Sequence, residues 1–255
     1  MKKFIDISSA ILFRPSFQAS EQFLEAIRDF VERAPTYRPT HWGFVEPMNN
    51  RFDLGDITLQ LTATGENYFA WARKAPPKGT GEFRKRIYPL RGPQHAHLSL
   101  DVTSRSDEQV EELLEYLRGA ACKYGAEYMF LDSLVGPYVP IARENEFAPH
   151  GLMGTYTHRL VKWLPDIAWS QILGPAYIRL FGLNKVMTAP AYKVEQLGPE
   201  TVYLQLSRSL FDMHERYDEV DAVRREVKKH LDDNIFFNPS LPADHVYRTP
   251  DFQFP

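Results

Sequence analysis

A single cysteine, Cys122, is all the thiol chemistry in the chain of 255 residues. No intrachain disulfide can form, which excludes the small secreted scaffolds that depend on such bridges. Long apolar runs are missing too: nothing approaches the roughly 20 residues needed to cross a bilayer. The start, Met1-Lys2-Lys3 before Phe4-Ile5-Asp6-Ile7, mimics the basic head of a signal peptide. Asp6 interrupts its apolar stretch and Arg14-Pro15 ends it, so a cleaved signal is not expected and the chain reads as cytoplasmic. There is no basic excess. Thirty Lys and Arg face 33 Asp and Glu, for a formal net charge of -3, so neither direct nucleic-acid binding nor a membrane is expected. A Gly-x-Ser-x-Gly elbow, a glycine-rich phosphate loop before a helix, and His-Glu-x-x-His are all absent. The expectation is therefore a protein with no catalytic residues, no metal and no cofactor.

What is present is ordinary globular material. Hydrophobic residues make up 44% and charged residues 25%, and a chain of this size can bury a core without staples. Ile5 to Phe13 alternates and predicts a first strand. Ser20 is a good N-cap for a helix carrying Phe23, Leu24, Ile27, Phe30 and Val31 on one face, ended by Pro35. Strands are predicted at His41–Val45, at Ile57–Thr62 from its period-2 alternation, and at His97–Val102. Tyr68 to Ala72 is ambiguous between strand and helix, and the basic stretch 73–92 reads as a loop. Ser106 caps a helix with Val110, Leu113, Leu114 and Leu117 inward. Tyr128–Leu131 and His158–Trp163 read as strands. Asp166 caps a helix carrying Ile167, Trp169, Ile172, Tyr177 and Leu180, which Gly174-Pro175 should kink or restart. Tyr192–Val194 and Val202–Leu206 form a hairpin across Gly198-Pro199, and a last helix runs from about Asp218 to Leu231. Strands and helices without strict βαβ alternation predict an α+β fold, its sheet mixed or mostly antiparallel and its helices on one face. Residues 1–237 read as one domain, with lobes at 1–140 and 141–237 as an option, and 238–255 as a proline-rich extended tail.

Chemistry has few footholds. His95-Ala96-His97 puts two imidazoles on one side of a strand, the beginning of a zinc site without a third ligand. His97-Leu98-Ser99 matches half of the two-histidine phosphoesterase pattern. The second half, needed to pair an acid with a base, is absent. A phosphoesterase using His97 is the enzymatic alternative. Cys122, beside Ala120 and Ala121, reads as a small packing residue. Trp42, Phe44, Trp71, Trp163 and Trp169 read as core. The stretch 73–91 is basic with Phe83 and Tyr88 interleaved, and reads first as a solvated loop. The helix after Ser106 carries Asp107, Glu108, Glu111, Glu112 and Glu115 outward. An acidic first turn suits the helix dipole, but such a face can also mimic an anionic ligand. The tail Tyr247-Arg248-Thr249-Pro250-Asp251-Phe252-Gln253-Phe254 is aromatic and must dock on its own domain or on a partner.

Three stretches carry a likeness: Trp163-Leu164-Pro165-Asp166-Ile167-Ala168-Trp169; Leu173-Gly174-Pro175-Ala176-Tyr177-Ile178 with Leu180-Phe181-Gly182; and Val202-Tyr203-Leu204-Gln205-Leu206. With the closing charged helix ending in Asn234-Ile235-Phe236-Phe237 and the earlier Trp42-Gly43 pair, the chain resembles the immunity protein 52 family of bacterial polymorphic-toxin immunity proteins. The resemblance is firmest over 157–237. The family's Tyr and Cys have no aligned counterpart in Tyr116 and Cys122. It implies an antitoxin that binds a cognate toxin effector stoichiometrically, the toxin being nuclease-like and delivered by type VI secretion. No catalytic residues follow from it. On that reading the partner-facing residues are expected to be Glu108, Glu111, Glu112 and Glu115 of the acidic helix, and Tyr138, Glu144 and Glu146 of the loop beyond it. Homodimerisation is left open.

Overall fold

Ile5–Phe13, a nine-residue stretch that is almost wholly buried, is the strand on which the rest is assembled. A computed structural model describes residues 4–15, 17, 20–86, 92–133, 156–238, 240–242 and 244–254. The strands are β1 (Ile5–Phe13), β2 (His41–Gly43), β3 (Asn50–Arg51), β4 (Tyr68–Arg73), β5 (Gly79–Arg84), β6 (Ala96–Ser104), β7 (Ala126–Asp132), β8 (Ser170–Leu173), β9 (Lys193–Gly198) and β10 (Thr201–Gln205). They form one ten-stranded sheet in the order β3-β2-β4-β5-β6-β1-β7-β8-β10-β9, and each neighbouring pair is antiparallel. The helices are α1 (Ser20–Arg33), α2 (Leu54–Thr64), α3 (Asp107–Tyr124), α4 (Thr157–Leu160), α5 (Pro175–Phe181), α6 (Leu183–Met187), α7 (Asp212–Glu215) and α8 (Tyr217–Leu231). The fold is α+β.

The register sorts side chains between faces, because successive residues of a strand point opposite ways. Ile11 of β1 pairs with Leu98 of β6 and Met129 of β7, and Leu98 pairs with Phe83 of β5. That row faces α1 and α3: Phe83 meets Phe23 and Phe30 at ring-centroid distances of 6.3 and 6.1 Å, and Phe30 meets Trp71 and Tyr116 at 5.1 and 5.2 Å. The next row faces the other way. Tyr128 of β7 meets Tyr177 of α5 at 5.5 Å. Helices thus cover one face of the first half of the sheet and the opposite face of the second half. β7 and the Ser9–Phe13 part of β1 lie between and are buried on both sides.

Several elements depart from the sequence pattern. Ile57–Thr62 is helical. Asp53 caps α2 by accepting from the Gly55 and Asp56 N–H groups at 2.8 and 3.0 Å, and Gly65 ends it at φ 66°, a conformation glycine adopts without strain. Ile57 and Leu61, one turn apart, are buried, while Leu59 between them is 71% exposed, so the apparent alternation was one helical face plus a solvent-facing leucine. Within the basic 73–92 stretch, Gly79–Arg84 is strand β5 rather than loop. Tyr68–Ala72 resolves as strand. His158–Trp163 begins as the short helix α4. The helix expected from Asp166 is instead strand β8 followed by α5, which restarts with Pro175 in its first turn. Cys122 is exposed and does not pack. Trp42, Trp71 and Trp169 are fully buried, whereas Phe44 and Trp163 are half-buried. No described helix is long and apolar enough to cross a membrane.

Candidate functional site

The first half of the sheet keeps one face without a helix. Alternation places Tyr68, Ala70 and Ala72 of β4, Thr80 and Glu82 of β5, Ser99, Asp101 and Thr103 of β6, and Asp6 and Ser8 of β1 on that face. These side chains are small or polar, so they offer a helix little apolar area to bury. With Glu46 and Met48 beyond β2, Lys74 and Lys78 of the β4–β5 turn, and Tyr156 ahead of α4, they line an open groove of about 930 Å³. The strands can lie close here because Gly81 has no side chain. On the helix-covered face a Cβ at that position would stand 2.6 Å from the Trp71 ring.

The groove has two chemically different ends. At one, Glu82 Oε1 accepts a hydrogen bond from His97 Nε2 at 2.8 Å, and its Oε2 lies 3.5 Å from Arg84. Arg84 stacks its guanidinium over the Tyr68 ring at 4.7 Å. Burial alone would push the Glu82 carboxyl up. The hydrogen bond and charge of His97, the Arg84 charge and the Tyr68 hydroxyl outweigh it and hold the carboxyl below its ordinary value. Tyr68 is pushed up to about 12 by burial and by the same carboxylate. Tyr156 meets His97 edge-on at 5.4 Å and stacks on His158 at 5.8 Å. At the other end Arg73 donates to the carbonyls of Arg38 and Pro76, with Lys74 and Lys78 exposed beside it. The arrangement is a polar trough with Glu82, His97, Arg84 and two tyrosines at one end, and with Arg73, Lys74 and Lys78 alongside Asp101 and Asp6 toward the other.

A second polar cluster lies under the C-terminal helices. Asp132 is fully buried, accepts from the N–H groups of Ser133 and Trp169 at 2.7 and 3.0 Å, and faces Arg224 at 3.6 Å. Ser133 Oγ donates to the Asp6 carbonyl at 2.6 Å and stands 2.8 Å from His214 Nε2. A serine hydroxyl has one proton to give. With that proton on Asp6, His214 is the donor to Ser133, so the pair is wired as structure and not as a nucleophile and its base. Asp132-Ser133 carries no sequence pattern that would have marked it. Its partners come from residues 6, 169, 214 and 224.

The residues anticipated from sequence scatter. Glu108, Glu111 and Glu115 are exposed on the outer face of α3, and Ser106 caps the helix by accepting from the Gln109 N–H. Glu112 is half-buried and bound to Thr36, accepting from its N–H at 2.8 Å and its hydroxyl at 2.6 Å. Tyr138, Glu144 and Glu146 lie outside the described residues. His95 and His97 sit two apart as expected, but His95 Nδ1 is bonded to Thr157 Oγ1 at 2.8 Å while His97 turns to Glu82. Among the described residues no group of three His, Cys, Asp or Glu stands together as metal ligands would. The signal for the groove was legible in part: the alternation His97, Ser99, Asp101 marks a polar strand face.

No family model matches the chain, and no curated protein matches it in sequence. Among solved structures, the Pseudomonas aeruginosa T6SS protein PA0821 superposes with a TM-score of 0.55 at 10% identity, covering 98% of this chain and 79% of that one. The two share a fold. The toxic C-terminal tip of CdiA from Pseudomonas aeruginosa, solved in complex with immune protein, aligns with 51% of this chain and 87% of that one, at 10% identity and a TM-score of 0.29, below the level of a shared fold.

Proposed function

We propose that this protein is a cytoplasmic immunity protein that neutralises a cognate toxin effector by binding it one to one. The observation that carries the reading is the fold it shares with a T6SS protein across 98% of its length. The resemblance of residues 157–237 to the immunity protein 52 family supports the same reading. So does the open polar sheet face, which is broad enough to contribute to the roughly 800 Å² that a stable complex buries on each partner. The toxin is nuclease-like in this proposal. Glu46 and Glu82 of the groove would then face a basic, phosphate-binding cleft, while the exposed Glu108, Glu111 and Glu115, on the opposite side of the sheet, would add to the long-range field that speeds encounter or form the alternative contact surface. Residues 1–237 act as one immunity-type domain, and 238–255 as its tail.

The test is co-expression with the product of the adjacent gene, followed by pull-down and size-exclusion chromatography. Survival only in the presence of this protein, with a stable co-eluting complex, is the expected result. A harmless neighbour that does not bind overturns the reading.

A second reading rests on the hydrogen bond between His97 and Glu82 beside a groove of about 930 Å³, an arrangement in which a carboxylate orients an imidazole. It predicts hydrolysis of phosphoester substrates that is lost in His97→Ala. Unchanged background rates with both proteins remove it.

A further inference from the structure

The tail returns across the molecule and ends against His95, two residues before His97. From α8 onward, Arg248 pairs with Asp232 at 2.5 Å and donates to the Leu180 carbonyl at 3.2 Å, while its N–H bonds the Asn234 carbonyl. Arg179 of α5 donates to the Asp251 carbonyl at 3.2 Å. Phe252 then lies edge-on to both Tyr177 and His95, at 6.0 and 5.0 Å, and Phe254 packs on His95 as well, at 4.7 Å, with the Arg86 guanidinium 5.1 Å from its own ring centroid.

His95 is 2% exposed, and it passes this contact on. Its N–H donates to Thr157 Oγ1 at 2.9 Å, and the Thr157 hydroxyl is bonded to Nδ1 at 2.8 Å. Nε2 is buried without a hydrogen-bond partner. Next to it, Gln94 Oε1 accepts from the His158 N–H at 3.3 Å. Gln94 and His95 thus hold the first turn of α4, a four-residue helix too short to be stable by itself. Tyr156, the residue that starts it, reaches back onto His97 and into the groove.

We infer that residues 248–254 form a strap that positions the Tyr156 wall of the groove through His95 and Thr157, so that tail docking and groove binding are coupled. The consequence for partner binding rests on the groove being the interaction surface proposed above. The mechanical coupling does not.

The experiment is hydrogen–deuterium exchange on the full chain and on Phe252→Ala/Phe254→Ala. The expected result is exchange at least about tenfold faster in peptides covering 156–164, with β1 and β7 unchanged, and protection restored by adding a synthetic peptide of residues 244–254. Unchanged exchange at 156–164 in a variant whose tail exchanges freely overturns the inference. Should the double variant lose protection throughout the sheet, Arg179→Ala/Arg248→Ala decides in its place. That pair frees the tail without removing core rings, and the same two outcomes apply. Because no toxin enters the measurement, its failure is separable from failure of the immunity reading, which appears as absence of a complex.

Discussion

The Arg224 guanidinium stands 3.6 Å from the Asp132 carboxylate, with both side chains shut away from solvent. Arg224 also donates to the Ile167 carbonyl at 2.8 Å, so one residue of α8 ties together the end of β7 and the lead-in to β8. Burial pushes Asp132 up to about 6 against the opposing pull of Arg224 and of the two backbone N–H groups it accepts. Removing one member of such a pair strands the other. Arg224→Met is expected to lower stability by about 3–5 kcal/mol in urea unfolding and to raise the Asp132 titration further. A change under ~1 kcal/mol would mean that the guanidinium contributes little beyond its volume.

His95 supplies an acid-side signature. Its pKa is lowered to about 3 by burial, with Arg86 and His97 adding to the effect, against an ordinary value near 6.5. The folded state then binds fewer protons than the unfolded chain between those values. Its contribution is fully present above pH ~6.5 and is lost as pH falls from there toward 3. Asp132 acts with the opposite sign. Its raised pKa gives a contribution that is present below about 3.8 and lost as pH rises through about 6. His95→Gln should therefore flatten the acid fall in stability relative to the parent, by up to ~1.4 kcal/mol per pH unit. Parallel stability curves for the two proteins, followed by circular dichroism between pH 3 and 7, would contradict this.

Gly81 leaves room for nothing larger. A Cβ there would meet the Trp71 ring at 2.6 Å and the Ser99 carbonyl at 2.7 Å. Gly81→Ala is expected to cost about 1–3 kcal/mol and to shift the tryptophan emission. Thermal melts and fluorescence read both effects together, and a melt matching the parent would show that Trp71 moves aside freely.

His97 and Glu82 are linked through one hydrogen bond at 2.8 Å. In His97→Ala, Glu82 loses its main stabilising partner while it remains half-buried, so its carboxyl should titrate at higher pH than in the parent. Carbon-13 NMR of the Glu82 carboxyl reads this directly. An unmoved titration would place the stabilisation with Arg84 and Tyr68 instead.

The proposed interface can be mapped with charges. Glu111→Lys/Glu115→Lys alters only the outer face of α3, whereas Ser99→Arg fills the groove. If the groove is the contact surface, Ser99→Arg should weaken toxin binding by at least tenfold, chiefly in dissociation, as expected for disruption of a packed contact. The lysine pair should mainly slow association. Surface plasmon resonance separates the two, and the reverse pattern would move the interface to α3.

Much of this architecture was legible locally. β1 spans the Ile5–Phe13 stretch its alternation predicted, Ser106 caps α3, and the hairpin turns at Gly198-Pro199. In each case the deciding interactions lie within a few residues. α2 is not legible locally although Asp53 and Gly65 bracket it, because the spacing of Ile57, Leu59 and Leu61 fits a strand as well as a helix until burial shows that Leu59 faces water. β5 reads as a loop from sequence because its glycines and basic residues resemble turn chemistry. It is a strand because β4 and β6 flank it and Trp71 needs the space at Gly81.

By itself, the sequence determined the α+β class, the amphipathic faces of α1, α3 and α8, and the polar alternation of β6. All of these follow from side-chain periodicity and caps. Tertiary structure alone decided which groups meet. His97 pairs directly with Arg84 and Glu82 with Ser99, so the bond between His97 and Glu82 is a diagonal contact that exists in this register, and a one-residue slip would turn either side chain to the other face. Asp132 meets Arg224, and Phe252 meets His95, across long separations in the chain. No local periodicity encodes such distances. They arise when a central strand is flanked by partners from both halves of the chain, and the groove is the part of the sheet that this assembly leaves uncovered.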